Sequence, residues 1–253
     1  MRQLHDYQET AVDFGLGALD DHNGVAYWLG MGVGKTAITI EVLKRLREWR
    51  SGRTLVIGPK LVAERTWPKE LRKWDPGFTY DVFLEGERRA TEMLLGGADI
   101  AITSRDNVQW LCNEMRARFP WDLIIVDESS SFKSPSSGRF KALKQFAHVP
   151  VIELTGTPGQ HEDIWSQIFL IDEGERLGHT VSNYRGRFFE KVYQDDKPGR
   201  TKSEQKYHRY ELVDGAAEAI NERVQDVALS MTIDEGLPPL IENTVEVPLS
   251  TGA

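Results

Sequence analysis

An α/β fold with a central, mostly parallel sheet is predicted by three features of the sequence. Short apolar runs alternate with stretches of helical periodicity. The apolar runs are unbroken, as in Leu123-Ile124-Ile125-Val126, which calls for a strand buried on both faces beneath covering helices. The length of 253 residues, 40% hydrophobic and 28% charged, suits one large domain with a real core, or one domain plus an appendage. That composition excludes disorder, collagen-like repeats and coiled coil as the dominant class.

Strands are expected at residues 25–29, 54–57, 79–83, 99–103, 123–126 and 151–154. The clearest helix spans residues 36–49, where Ile38, Val42, Leu46 and Trp49 fall on one face. Other helical patterns cover 64–74, 88–95, 137–146 and 163–170. After Ile171 the chain reads as mostly helical and polar, with an exposed Gly/Pro/Lys-rich loop at 195–202. Pro238-Pro239 then precedes a strand-like alternation at 244–249. The expected division is a lobe over 1–172 and a helical extension and linker over 173–253, without internal repeats.

The net charge of −8 argues against a protein that coats nucleic acid by bulk electrostatics, but the charge is unevenly spread. Ten lysines and arginines between Lys44 and Lys73 face three glutamates, and a second basic stretch runs from Arg185 to Arg209. Beyond Glu211 the balance is acidic. On charge alone, a nucleic-acid surface and a solvated helix face are equally open for the first stretch. The single cysteine, Cys112, forms no internal disulfide and no thiolate metal site, and reads as core. No apolar run approaches the roughly 20 residues of a membrane span, and the polar start is unlike a signal peptide. A soluble, cytoplasmic chain without a membrane partner is expected.

Three motifs carry chemistry. Leu29-Gly30-Met31-Gly32-Val33-Gly34-Lys35-Thr36 follows a strand and opens a helix. Glycines let successive backbone N–H groups converge on phosphate oxygens, and the helix N-terminus adds its dipole. Gly32 and Gly34 with Met31 and Val33 form the cradle, Lys35 reaches the outer phosphates, and the Thr36 hydroxyl suits Mg²⁺. Leu29 stands where the full phosphate-loop pattern has its first glycine, so the match is partial. The second motif is Asp127-Glu128 at the end of the most apolar strand. Paired carboxylates there are costly to desolvate unless a cation is near. Asp127 would hold Mg²⁺ and Glu128 would polarise an attacking water; the plainer reading is a solvated helix-capping turn. The third is Thr155-Gly156-Thr157-Pro158, again at a strand end, an ordinary turn in isolation but weighty in this order.

In that order the motifs resemble the first motor lobe of superfamily-two helicases and translocases, specifically the Swi/Snf-like branch with its phage and prophage members. The resemblance runs from Leu4 to about Ser250. Leu4-His5-Asp6-Tyr7-Gln8 resembles the adenine-reading motif, implying Gln8 as purine contact. Val56-Ile57-Gly58-Pro59-Lys60, followed by Trp67, and Ile102-Thr103-Ser104 resemble the DNA-facing motifs, implying nucleic-acid contacts at Pro59, Lys60, Thr103 and Ser104. Lys133 sits where the family often has a lysine, and Trp165-Ser166-Gln167 matches again. Ser130 replaces the histidine that in relatives links the nucleotide to the Thr155-Gly156-Thr157 coupling motif, and Gly159-Gln160-His161 departs from the usual Pro-x-Asn.

The resemblance implies a RecA-like phosphate-loop lobe that binds ATP and Mg²⁺, with Lys35, Asp127 and Glu128 catalytic, acting on double-stranded DNA. It also implies a second lobe, in cis or trans, bearing an arginine finger in a Q-x-x-G-R-x-x-R motif. Arg185-Gly186-Arg187 lacks the glutamine and spaced arginine of that motif. An arginine finger is worth about 10³ to 10⁵ in rate, so one lobe is expected to hydrolyse ATP weakly. The alternatives at this point are a non-enzymatic nucleotide-switched module, a fragment of a larger motor, and a phosphate-loop kinase or small-molecule ATPase. If phage-encoded, the chain is expected in the host cytoplasm.

Overall fold

The computed structural model describes residues 3–48, 50–74, 77–84, 97–115, 118–193 and 208–231. The chain opens with α1 (Asp6–Asp21), β1 (Gly24–Leu29), α2 (Lys35–Arg47) and β2 (Thr54–Gly58). A π-helical turn at Val62–Thr66 then leads into α3 (Trp67–Trp74), followed by β3 (Tyr80–Phe83), β4 (Ile100–Ser104) and α4 (Val108–Met115). Next come β5 (Leu123–Asp127), α5 (Gly138–Leu143), β6 (Val151–Thr155), α6 (His161–Asp172) and α7 (Val181–Phe188). The described chain closes with β7 (Phe189–Tyr193), β8 (His208–Leu212), α8 (Ala216–Val224) and β9 (Ala228–Met231).

Among the described residues, seven strands form one sheet in the order β3-β4-β2-β5-β6-β1-β9, and every pairing in it is parallel. Alternate side chains of the strands enter two separate cores. Val25, Tyr27, Leu29, Val56, Ile125 and Leu154 pack with α1, α2 and α3 on one face. Ala26, Leu55, Ile57, Ile124 and Val126 pack with α4 to α8 on the other. Two-sided burial is why these strands read as continuous apolar runs. Register sets Ile57 beside Val126, Asp127 beside Leu154 and Trp28 beside Thr155, so the loops after β1, β2, β5 and β6 emerge together at the carboxyl edge. Ligands of open parallel sheets bind at that edge.

All six expected strands are present, within a residue or so of the expected bounds. Trp49, and the expected features at 88–95, 195–202 and 244–249, lie outside the described residues. The stretch after Ile171 is not wholly helical: between α7 and α8 lie the antiparallel paired strands β7 and β8, and β9 pairs with β1. Gly30 N–H donates to Met231 O at 3.0 Å, so this late strand braces the start of the glycine loop. The chain beyond residue 172 therefore contributes to the main sheet itself. Among the described residues no helix is long and apolar enough to cross a membrane.

Candidate functional site

Between β1 and α2 the glycine loop turns through left-handed backbone, with φ of 81° at Gly32 and 88° at Gly34. Such conformations cost about 1–2 kcal/mol for residues with a Cβ. A Cβ on Gly34 would also lie 2.4 Å from Gln8 Nε2. Gly34 occupies the N-cap position of α2 and supplies no side-chain acceptor to the first backbone N–H groups, an arrangement suited to an anion. Lys35 Nζ donates to Leu29 O at 2.8 Å and Gly30 O at 3.1 Å, which holds the ammonium over the loop with one proton to give. Thr36 is half-buried beside it, and Met31 stands 88% exposed at the loop tip.

Two strands away, β5 delivers Asp127 to the same edge, where only 7% of it is exposed. Burial pushes its carboxyl above the ordinary aspartate value, and the Glu128 charge adds to this; the Trp67 N–H and the Lys35 charge pull the other way. Trp67 Nε1 donates to Asp127 Oδ2 at 2.9 Å. A divalent cation would relieve the crowding of negative charge, and a buried carboxylate with a threonine hydroxyl is an oxygen donor set suited to Mg²⁺. Asp127 and Thr36 are thus the residues fitted to hold it. Glu128 follows in a left-handed conformation, φ 56° and ψ 54°, strain of about 1–3 kcal/mol of the kind that collects at reactive sites.

The loop after β6 closes the arrangement. Thr155 is fully buried and its Oγ1 accepts the Thr157 N–H at 3.1 Å, shaping a tight turn. A Cβ on Gly156 would lie 3.6 Å from Lys35 Nζ and 3.4 Å from Leu29 O, so this turn abuts the glycine loop. The segment after Glu128 docks on α6: Ser129 Oγ donates to Gln167 Oε1 at 3.2 Å, Ser166 Oγ to Lys133 O at 2.8 Å, and Lys133 Nζ pairs with Asp163 Oδ2 at 3.0 Å. Gln167 Nε2 donates to Pro158 O at 2.8 Å. Ser129, next to the substituted Ser130, thereby joins the loops of β5 and β6.

A cleft of about 640 Å³ opens above the glycine loop, within the range of nucleotide-sized sites. One wall is Gln3, His5, Tyr7 and Gln8; the other is Thr66, Glu70, Lys73 and Trp74. His5 stacks on Tyr7 with ring centroids 5.5 Å apart. Gln8 Oε1 accepts the His5 N–H at 3.0 Å, which caps α1, and Nε2 donates to Val33 O at 2.9 Å. One N–H and one lone pair of the amide are not used by these two bonds. The wall formed by α3, and the support of Asp127 by Trp67, are features that sequence reasoning missed: Trp67 was legible as a motif residue, but its partner was not.

The expected nucleic-acid contacts divide. Pro59 is half-buried and Lys60 exposed at the end of β2. Thr103 and Ser104, at the end of β4, are 0% and 2% exposed. Thr103 Oγ1 donates to Phe83 O at 2.9 Å and accepts from Asn107, because pairing with β3 turns this strand end inward. Part of the first basic stretch is neutralised within the fold. Arg45 pairs with Glu9, Asp13 and Glu41, Lys44 with Glu41, and Lys73 with Glu70.

A parallel sheet whose carboxyl edge brings together a glycine turn, a lysine at a helix start, an Asp-Glu pair and a small-residue turn defines the nucleotide-binding lobe of a phosphate-loop NTPase. The particular family is evident from comparison: residues 7–252 match the SNF2-related domain, and the chain belongs to that family. It is 34% identical over 248 residues to protein p41 of Acyrthosiphon pisum secondary endosymbiont phage 1, covering 89% of this chain and 51% of that one. It is 32% identical over 183 residues to the ISWI chromatin-remodeling complex ATPase CHR17 of Arabidopsis thaliana, covering 68% of this chain and 17% of that one. The fold resembles the SWI2/SNF2 ATPase core of Sulfolobus solfataricus solved in complex with dsDNA, with a TM-score of 0.71 and 25% identity over 91% of this chain and 45% of that one. The chain thus spans about half the length of the phage relative and of the archaeal core.

Proposed function

We propose that this chain is the ATP-binding lobe of a DNA-dependent ATPase that couples hydrolysis to translocation on, or remodelling of, duplex DNA in partnership with a second RecA-like lobe. The observation that carries the reading is the meeting of Lys35, Asp127, Glu128 and Gly156 at one edge of the sheet. Bound ATP would supply the phosphoryl group, and Mg²⁺ would offset its negative charge. Gly32, Gly34 and the start of α2 cradle phosphate oxygens, Lys35 turns its ammonium from its own loop carbonyls onto them, and Gln8 uses its spare donor and acceptor on the base. Asp127 and Thr36 supply oxygen ligands, while Glu128 orients water. Lys60 and Pro59 face the nucleic acid. Thr155, Gly156 and Thr157 carry the state of the site to the rest of the lobe.

The decisive experiment compares Mg·ATP binding and hydrolysis, with and without duplex DNA, in the chain and in Lys35→Ala and Glu128→Gln. Binding lost in Lys35→Ala but kept in Glu128→Gln supports the reading. Unchanged affinity in Lys35→Ala overturns the phosphate-loop assignment. Binding without turnover, even with DNA, would favour a lobe that works only with its partner, or a nucleotide-operated switch.

A further inference from the structure

Glu153 lies in the middle of β6 with no exposed surface, and neither carboxyl oxygen has a hydrogen-bond partner. Its strand neighbours are Val126 of β5 and Ala26 of β1. A buried acid without partners is costly, so its persistence in an otherwise apolar strand asks for a reason. The Ser129 hydroxyl bears on this carboxyl, yet it is directed at Gln167 Oε1, 3.2 Å away. On the same sheet face, Trp28 Nε1 of β1 is a second buried polar atom without a partner. This face of the sheet therefore holds buried hydrogen-bonding groups left without partners in the present arrangement.

Gln167, fully buried in α6, touches both loops of the site: its Oε1 accepts from Ser129, and its Nε2 donates to Pro158 O at 2.8 Å. Ser129 is joined directly to Glu128, whose backbone is left-handed. A serine hydroxyl has one proton to give. While it goes to Gln167, the loops after β5 and β6 are tied; turned to Glu153, it satisfies the acid and leaves Gln167 with the β6 loop alone. We propose that Glu153, Ser129 and Gln167 form a buried positioning set, in which Ser129 exchanges its hydrogen bond between Gln167 and Glu153 and so couples the placement of Glu128 to the Thr155–Pro158 turn. The inference rests on the nucleotide-site reading above. Kept neutral by burial, Glu153 can accept the serine hydrogen bond or donate its own O–H to the serine oxygen, so the two arrangements make similar hydrogen bonds and stay close enough in energy for a ligand to choose between them.

The test is amide hydrogen exchange of the full chain with and without Mg·ATP, alongside its Mg·ATP affinity. In the wild type, Mg·ATP slows exchange by about fivefold or more, the lower end of ordinary site-to-site coupling, at both 128–132 and 156–160. In Gln167→Leu the response persists at 128–132 and is lost at 156–160. Ser129→Ala, which deletes one atom and keeps the core packed, gives the same loss, and Ser129→Thr restores the response by restoring the hydroxyl. Glu153→Leu removes the alternative partner and leaves 156–160 tied equally with and without nucleotide. A purely structural role would loosen both loops regardless of nucleotide. A wild type that binds Mg·ATP without a response at 156–160, or a full response in both Gln167→Leu and Ser129→Ala, overturns the inference alone. A wild type that binds no Mg·ATP overturns the nucleotide-site reading and this inference with it.

Discussion

Trp67, the first residue of α3, donates its indole N–H to Asp127 at the end of β5 across 2.9 Å, with the tryptophan fully buried and the aspartate nearly so. This bond offsets part of the burial that raises the Asp127 carboxyl. Trp67→Phe keeps much of the ring and removes the donor. It is expected to cost about 1–3 kcal/mol, the penalty of an unsatisfied buried acceptor, and to weaken Mg²⁺-dependent ATP binding. Urea unfolding and titration with Mg·ATP check both effects; unchanged stability and affinity would remove Trp67 from the site.

Gly15 in the middle of α1 faces Tyr27 of β1, and a Cβ there would fall 1.8 Å from the phenol oxygen. That oxygen donates to Ala11 O at 2.7 Å, so helix and strand are drawn together by a bond only glycine accommodates. Gly15→Ala is expected to destabilise the chain by about 1–3 kcal/mol through overpacking. In Tyr27→Phe the obstructing oxygen is gone, and adding Gly15→Ala should cost less than in the wild type. Equal costs in the two backgrounds, measured by denaturant midpoints, would refute the contact as the cause.

Glu153 makes stability depend on pH in a calculable direction. Burial holds its carboxyl well above the ordinary glutamate range, against a smaller lowering from Ser129. The folded state therefore keeps a proton that the unfolded chain releases near its ordinary pKa of about 4.3. Its contribution is fully present below that value and is lost as pH rises toward the folded pKa, with a slope of at most about 1.4 kcal/mol per pH unit. Glu153→Gln, which does not titrate, should gain stability relative to the wild type between pH 5 and pH 7. Parallel unfolding profiles for the two proteins over that interval would contradict the buried neutral acid.

The central strands and the chemistry at their ends were legible because both depend on local pattern: unbroken apolar runs for β2, β4 and β5, and fixed spacing for the glycine loop and Asp127-Glu128. The unforeseen elements lack such contrast. The buried face of α1 is Gln8, Ala11, Val12, Gly15, Ala18 and Leu19, helically spaced but mostly small or polar, so it offers little apolar contrast, and Tyr27 bonds to it at Ala11. The edge strand β9 is half-buried and reads Ala-Leu-Ser-Met, so its pairing with β1 is decided by tertiary position. Register with β3 hides Thr103, and Gln167 acquires its partners from two loops far apart in sequence. Pairings of this kind leave no periodic trace.

The neutralised basic stretch gives a last test, resting on the DNA-facing role proposed for the carboxyl edge. Counterion release makes DNA affinity fall with salt in proportion to the phosphates a protein neutralises. Arg45 is already occupied by Glu9, Asp13 and Glu41, so Arg45→Gln should leave both DNA affinity and its salt dependence nearly unchanged. Its effect on folding should be below about 1 kcal/mol and should shrink in salt, as expected for a partly exposed ion-pair cluster. Lys60 is exposed at the end of β2, on the edge proposed to face the nucleic acid, and Lys60→Ala should weaken binding across sequences and reduce the magnitude of the log–log salt slope by about 1. Fluorescence anisotropy with a labelled duplex at several salt concentrations separates the two positions. A loss at Arg45 with none at Lys60 would move the nucleic-acid surface away from the carboxyl edge and onto the outer face of α2.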